Sequence, residues 1–170
     1  SQTPMPPASL RATERIHRDI EEYLKPFGWY YDRRKNFYKN EGKPIGRIIS
    51  IPLMGQAVMA ILLKRPDTAR ARPSSLIKQE AEYQRLFSAT LPIEIYRACA
   101  QILKQTEQFL SGHADRLSPA AINNMRFYVA MAASQVACRD ADPVPEKIAT
   151  LAGEDCDAVF LEPAYQVVKA

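Results

Sequence analysis

The run Ile48–Leu63, IISIPLMGQAVMAILL, decides the fold. It carries no charge, yet it is shorter than the ~20 residues that a membrane span needs, and Ser50, Pro52, Gly55 and Gln56 interrupt it. It reads as a buried helix beginning near Ile51, with Pro52 tolerated in the opening turn. Being apolar on nearly every side, this helix belongs at the centre of the fold. A buried Gln56 then needs a partner for its amide, either a backbone carbonyl from a neighbouring element or a group on another molecule.

Outward from this centre nearly every segment has helical period. Ser9 stands where an N-cap would, and Leu10, Thr13, Ile16, Ile20, Tyr23, Leu24 and Phe27 follow at three- and four-residue steps until Gly28. RPDTARARPSS, residues 65–75, reads as an irregular connector leading to a short helix through Glu80 to Phe87. Pro92 opens a long helix with the stripe Ile95, Cys99, Ile102, Thr106 and Phe109, closed by Gly112. Ser118 and Pro119 form a cap and first-turn pair for a helix burying Ile122, Met125, Val129, Ala133 and Val136. Pro143 and Pro145 mark a break before a short helix around Ile148 and Leu151, and a last helix runs from about Cys156 to the end. Only GRIISI, residues 46–51, leaves room for a trivial strand. The expectation is one all-α domain over residues 1–170, an irregular bundle of about six to eight helices around a central apolar helix.

The chain has 170 residues, 46% of them hydrophobic and 25% charged, which is a globular composition. Its three cysteines never form a C-x-x-C pair, so no disulfide framework or cysteine-based zinc site is suggested, and a reducing, cytoplasmic setting is expected. The start SQTPMPPASL lacks the pattern of a signal peptide. The missing initiator methionine and the helical-looking end AYQVVKA give the expectation of a carboxy-terminal part of a longer protein.

Catalytic constellations are hard to assemble. His17 lies on the first helix and His113 in the loop after Gly112, neither at metal-ligand spacing from another histidine or cysteine. No G-x-S-x-G occurs, and six glycines leave no material for a phosphate loop. The acids of GEDCD, residues 153–157, read more economically as helix-start residues than as cation ligands. No catalytic residue, metal site or cofactor is assigned.

Charge is more informative. Between Trp29 and Lys78 eleven Lys and Arg face three Asp and Glu, a local balance of +8 against +4 for the whole chain. Within GWYYDRRKNFYKNEGKP, residues 28–44, cations alternate with aromatics. Cations neutralise phosphates, and flat rings such as Trp29, Tyr30, Tyr31, Phe37 and Tyr38 can stack unpaired bases. The candidate nucleic-acid contacts are Arg33, Arg34, Lys35, Tyr38 and Lys39, continued by Arg47, Arg65, Arg70 and Arg72. The alternative is that the rings anchor a loop to the core while the charges face solvent.

At these same residues the sequence resembles the AIPR family, bacterial abortive-infection phage-resistance proteins. The likeness lies in SQTPMPPASLRA, in residues 28–44, in IISIPLMGQAVMAILLKRPDTARARPS and more loosely in EYQRLF at 82–87, in the family's order and spacing. The resemblance implies a role in phage defence and a carboxy-terminal position in the larger protein. The family's upstream Asn-Gly-x-Gln-Thr pattern has no counterpart here, and no catalytic set maps onto this chain.

The first reading is therefore a helical, non-catalytic module that contacts single-stranded nucleic acid, or the upstream domain of the same protein, through its basic region. No membrane contact is expected. The alternatives are part of a nuclease-like enzyme whose active site is completed upstream, and a protein-interaction scaffold.

Overall fold

The computed structural model describes residues 7–33, 37–71, 84–138 and 156–170. Helix α1, Pro7–Leu24, starts three residues before the expected first helical residue, Leu10. Pro7 suits a first turn, where its missing N–H costs nothing, so Ser9 lies inside the helix rather than capping it. Ile16, Ile20 and Leu24 give α1 its buried stripe. The chain turns at Gly28, whose φ of 81° is in the left-handed region open to glycine. From there it enters strand β1, Tyr30–Asp32.

Strand β1 pairs in parallel with β2, Ile48–Ser50, in the register Tyr30 to Ile48, Tyr31 to Ile49 and Asp32 to Ser50. Parallel strands require a crossover of a dozen or so residues. Here it contains the single-turn helix α2, Phe37–Asn40, and a 3-10 turn, Ile45–Arg47. The trivial strand expected near Ile48 is thus present, and Tyr30–Asp32 is its partner.

Strand β2 runs straight into helix α3, Ile51–Ile61. Ser50 caps it by accepting the Leu53 N–H at 3.2 Å, and every residue from Met54 to Ile61 is buried. Gln56 is satisfied internally: its Nε2 donates to the Ala69 carbonyl at 2.7 Å. That carbonyl belongs to helix α4, Pro66–Ala71, which replaces the irregular connector expected there. Pro66 begins this helix rather than breaking one, with Asp67 in the first turn complementing the exposed N–H groups.

Helix α5, Glu94–Ser111, buries Ile95, Cys99, Ile102, Leu103, Thr106 and Leu110, and Gly112 closes it. Helix α6, Pro119–Cys138, is capped by Ser118, which accepts the Ala121 N–H at 3.1 Å. Phe127, Val129, Ala130 and Ala133 are buried on it, while Val136 is 46% exposed and falls outside the expected core stripe. Helix α6 packs against α3, α4, α5 and the last helix, and α3 packs against α4, α5 and α6. The all-α bundle around a central apolar helix is therefore observed, with α6 sharing the centre.

The chain finishes in a π-helical turn, Asp157–Leu161, followed by α7, Glu162–Lys169. Pro163 in the first turn of α7 supplies no N–H to the ladder, and the wider turn lies just before it. Side chains tie α7 to the α5–α6 loop. Asp115 N–H donates to His113 Nδ1 at 3.0 Å, and His113 Nε2 lies within hydrogen-bonding distance of Glu162 Oε2, at 2.9 Å. Tyr165 and Lys169 both donate to Asp115 Oδ2, at 2.5 and 3.1 Å. These bonds hold the Asp115 carboxyl below the usual carboxylate range and push the Tyr165 phenol up to about 12. Of the helix expected through Glu80 to Phe87, residues 84–87 are described and 84–86 are helical, whereas the short helix around Ile148 and Leu151 lies outside the described residues.

Candidate nucleic-acid interface

Alternation along β1 sorts the aromatics of the basic stretch. Tyr31 points inward, fully buried, and shares a 2.7 Å hydrogen bond with His17 Nδ1 on α1. The His17 ring also meets Phe87 edge-on, with centroids 4.6 Å apart. Burial, aided by the positive charge of Arg33, lowers His17 from 6.5 to about 4, so its ring is neutral near pH 7. Trp29 is only 5% exposed. Trp29 and Tyr31 are therefore core anchors rather than platforms for bases. Tyr30, Phe37 and Tyr38 stay at the surface as a cluster, Tyr38 lying 5.3 Å from Tyr30 and 5.1 Å from Phe37 by ring centroid.

Cations cover the same rings. Arg47 lies over Trp29 at 4.9 Å and Lys43 over Tyr30 at 5.3 Å. Arg97 of α5 lies over Phe27 at 3.9 Å. Such pairs are favourable by about 0.5–1 kcal/mol at exposed sites, and they fix where these charges stand.

Glu21 of α1 engages two candidate residues at once. Its carboxylate meets Arg33 at 3.3 Å and accepts the Tyr38 hydroxyl at 3.2 Å. Partial burial, then the Glu21 charge, raise the Tyr38 phenol above its ordinary value. Arg33 and Tyr38 thus brace the loop after β1 to α1. Lys39 is exposed at the end of α2, and Arg47 is exposed at the end of the 3-10 turn.

The remaining candidates lie apart. Arg65 precedes α4 and follows α3, and Arg70 is on α4, its side chain outside the described ones. An eleven-residue α3 is about 16 Å long, so Arg47 and Arg65 stand at opposite ends of it. Arg34, Lys35 and Arg72 lie outside the described residues. Glu21 brings Arg33 and Tyr38 together, and Lys39 follows Tyr38 on α2, whereas Arg47 stands over Trp29 just before β2 and Arg65 lies beyond the far end of α3.

Sequence reasoning missed Lys43 and, on α5, Lys104, whose Nζ donates to the Ile45 carbonyl at 3.4 Å. A signal for it existed: Gln101, Lys104, Gln105 and Gln108 fall on one helical face opposite the buried stripe. Among the described residues no group of three His, Cys, Asp or Glu converges as a metal site would, and no helix is long and apolar enough to cross a membrane.

A family model described as AIPR protein matches residues 1–159. The chain belongs to the AIPR family. The match reaches well past the motifs of residues 1–88, through α5 and α6, and it supports a place in abortive-infection phage resistance. No curated protein and no solved structure matches this AIPR chain.

Proposed function

We infer that this AIPR chain is a helical, non-catalytic module of a phage-defence protein, and that it holds single-stranded nucleic acid by its phosphates through the rim formed by residues 37–47. One observation carries the reading. Arg33, Lys104, Arg126 and Lys169 each meet a carboxylate, whereas among the described residues no ion pair involves Lys39, Lys43 or Arg47. Three cations on one short segment stand against the single acid Glu41 and make no ion pair among the described residues, a charge pattern that suits a phosphate backbone.

The rim offers charge more than base recognition, because Trp29 and Tyr31 are buried and Lys43 lies over Tyr30. Phe37, 40% exposed, is the ring best placed to stack a base. Phosphate contacts carry no sequence information, so binding is expected to be weak, indifferent to sequence and steeply salt-dependent. Titrating a labelled single-stranded oligonucleotide with the chain at rising salt tests this, and affinity that ignores salt contradicts it.

A second reading, contact with an upstream domain of the same protein, draws on the exposed apolar side chains of Ile45, 67% exposed, and Phe37, 40% exposed. Exposed apolar side chains next to charges suit a protein partner. Ile45→Ser distinguishes the two: it weakens docking of a separately produced upstream domain and, carrying no charge, leaves the salt dependence of oligonucleotide binding unchanged.

A further inference from the structure

Between the 3-10 turn Ile45–Arg47 and the polar face of α5 lies a groove of about 560 Å³, floored in part by Trp29. Its wall carries Arg47 and Lys104 as cations, Glu107 as an acid and the amides of Gln101, Gln105 and Gln108. The acid is spoken for: Glu107 Oε1 accepts Arg126 Nη1 at 2.9 Å, and its other oxygen is 3.9 Å from Lys104 Nζ. Counting Arg126, three cations face one carboxylate.

Lys104 is the unusual member. Its side chain is only 12% exposed, and its ammonium has a single long bond to a carbonyl besides the distant Glu107. An ammonium has three N–H donors, so Lys104 is left with unspent capacity in a partly dry wall. Burial lowers its pKa, an effect the Glu107 charge opposes and the Arg126 charge reinforces. A second anion beside it relieves that desolvation.

We propose that this groove seats one nucleotide unit, its phosphate between Arg47 and Lys104 and the polar edge of its base against the amides of Gln101, Gln105 and Gln108. The volume falls within the range of small-ligand pockets. Paired donors and acceptors on amide side chains match the mixed donor–acceptor edge of a nucleobase, and a cation pair matches a phosphate. The ligand has two sources with the same chemistry, a free mononucleotide and one nucleotide of a bound strand. Only the second source rests on the rim reading given above.

Trp29 is the one tryptophan in the chain and lines the groove, so its fluorescence responds to occupancy of the groove. The 170-residue chain is titrated separately with a 5′-mononucleotide, with inorganic phosphate and with a single-stranded oligonucleotide. The mononucleotide is expected to give a saturable change, with phosphate competing weakly. Lys104→Gln is expected to weaken binding about tenfold or more, the scale of one lost charged contact. Gln108→Glu, at an exposed position, weakens it comparably by repelling the phosphate, and thermal melts verify that each variant is folded. A mononucleotide that produces no saturable change, or folded variants that both bind it like the parent, overturns the proposal. Salt-sensitive oligonucleotide binding unaffected by either variant overturns the groove as the seat of a strand's nucleotide and leaves the rim standing. Mononucleotide binding lost in both variants, without any oligonucleotide binding, supports the groove and overturns the rim.

Discussion

The guanidinium of Arg47 stands over the ring of Trp29, its carbon 4.9 Å from the centroid. The contact joins the two halves of the basic–aromatic stretch: a buried ring that belongs to the core fixes the position of a cation that belongs to the surface. A flexible arginine gives up side-chain entropy on binding a phosphate, and one already laid on an indole has less left to lose.

The opposite arrangement holds at Glu21, where Arg33 and Tyr38 are both engaged. Glu21→Gln removes a negative charge from the rim and releases Arg33. It is expected to raise affinity for single-stranded nucleic acid and to shallow nothing in the salt dependence. Exposed ion pairs contribute about 0–1 kcal/mol, so chemical denaturation should register a loss no larger than that. Weaker binding by Glu21→Gln would show that the brace itself forms part of the contact.

His17 makes stability depend on pH. Its folded pKa of about 4 lies below the ordinary histidine value of 6.5, so between these values the unfolded chain binds the extra proton. Stability is then fully present above about pH 6.5 and falls as pH drops toward 4, by up to about 3 kcal/mol. Urea denaturation across this window should show the loss, and His17→Phe should flatten it relative to the parent even though the bond to Tyr31 is gone. Equal pH slopes for the two proteins would contradict the assignment.

Core packing gives a larger effect. Ile61 on α3 is fully buried, and Ile61→Ala is expected to cost about 2–5 kcal/mol. A change within error would mean that α3 is not the centre of the bundle.

Lys64, just beyond α3, has φ of 57° and so occupies the left-handed region without being glycine. That conformation costs a residue with a Cβ about 1–2 kcal/mol. Lys64→Gly should therefore stabilise the chain, less the added entropy of the unfolded glycine, and raise the melting temperature by a few degrees. A lowered melting temperature would refute the strain argument.

The fold was legible where one residue type settled the environment. Residues 51–61 have almost no polar side to turn outward, and Ser118 with Pro119 has one local reading as a helix start. Helix α4 was misread because Pro66 signals a stop or a start equally, and what tips the balance is the Gln56 bond to Ala69, a tertiary contact. Strand β1 spans three residues and exists only because Ile48–Ser50 lies beside it. Of the candidate contacts, Arg33, Tyr38, Lys39 and Arg47 stand near one another in sequence, but only α5 folding back brings Lys104 to Ile45. Which aromatics are buried depends on the pairing of β1, which composition cannot express.

The most direct test is the slope of log affinity against log salt for a single-stranded oligonucleotide, compared between the parent, Arg33→Ala and the triple variant Lys39→Ala, Lys43→Ala, Arg47→Ala. Each phosphate contact on a single strand contributes about 0.7 to that slope. The account predicts that the triple variant loses about 2 from the slope while remaining folded, and that Arg33→Ala, already paired with Glu21, changes it by much less. A triple variant with the parent's slope, or an Arg33→Ala variant that accounts for the whole loss, would contradict it.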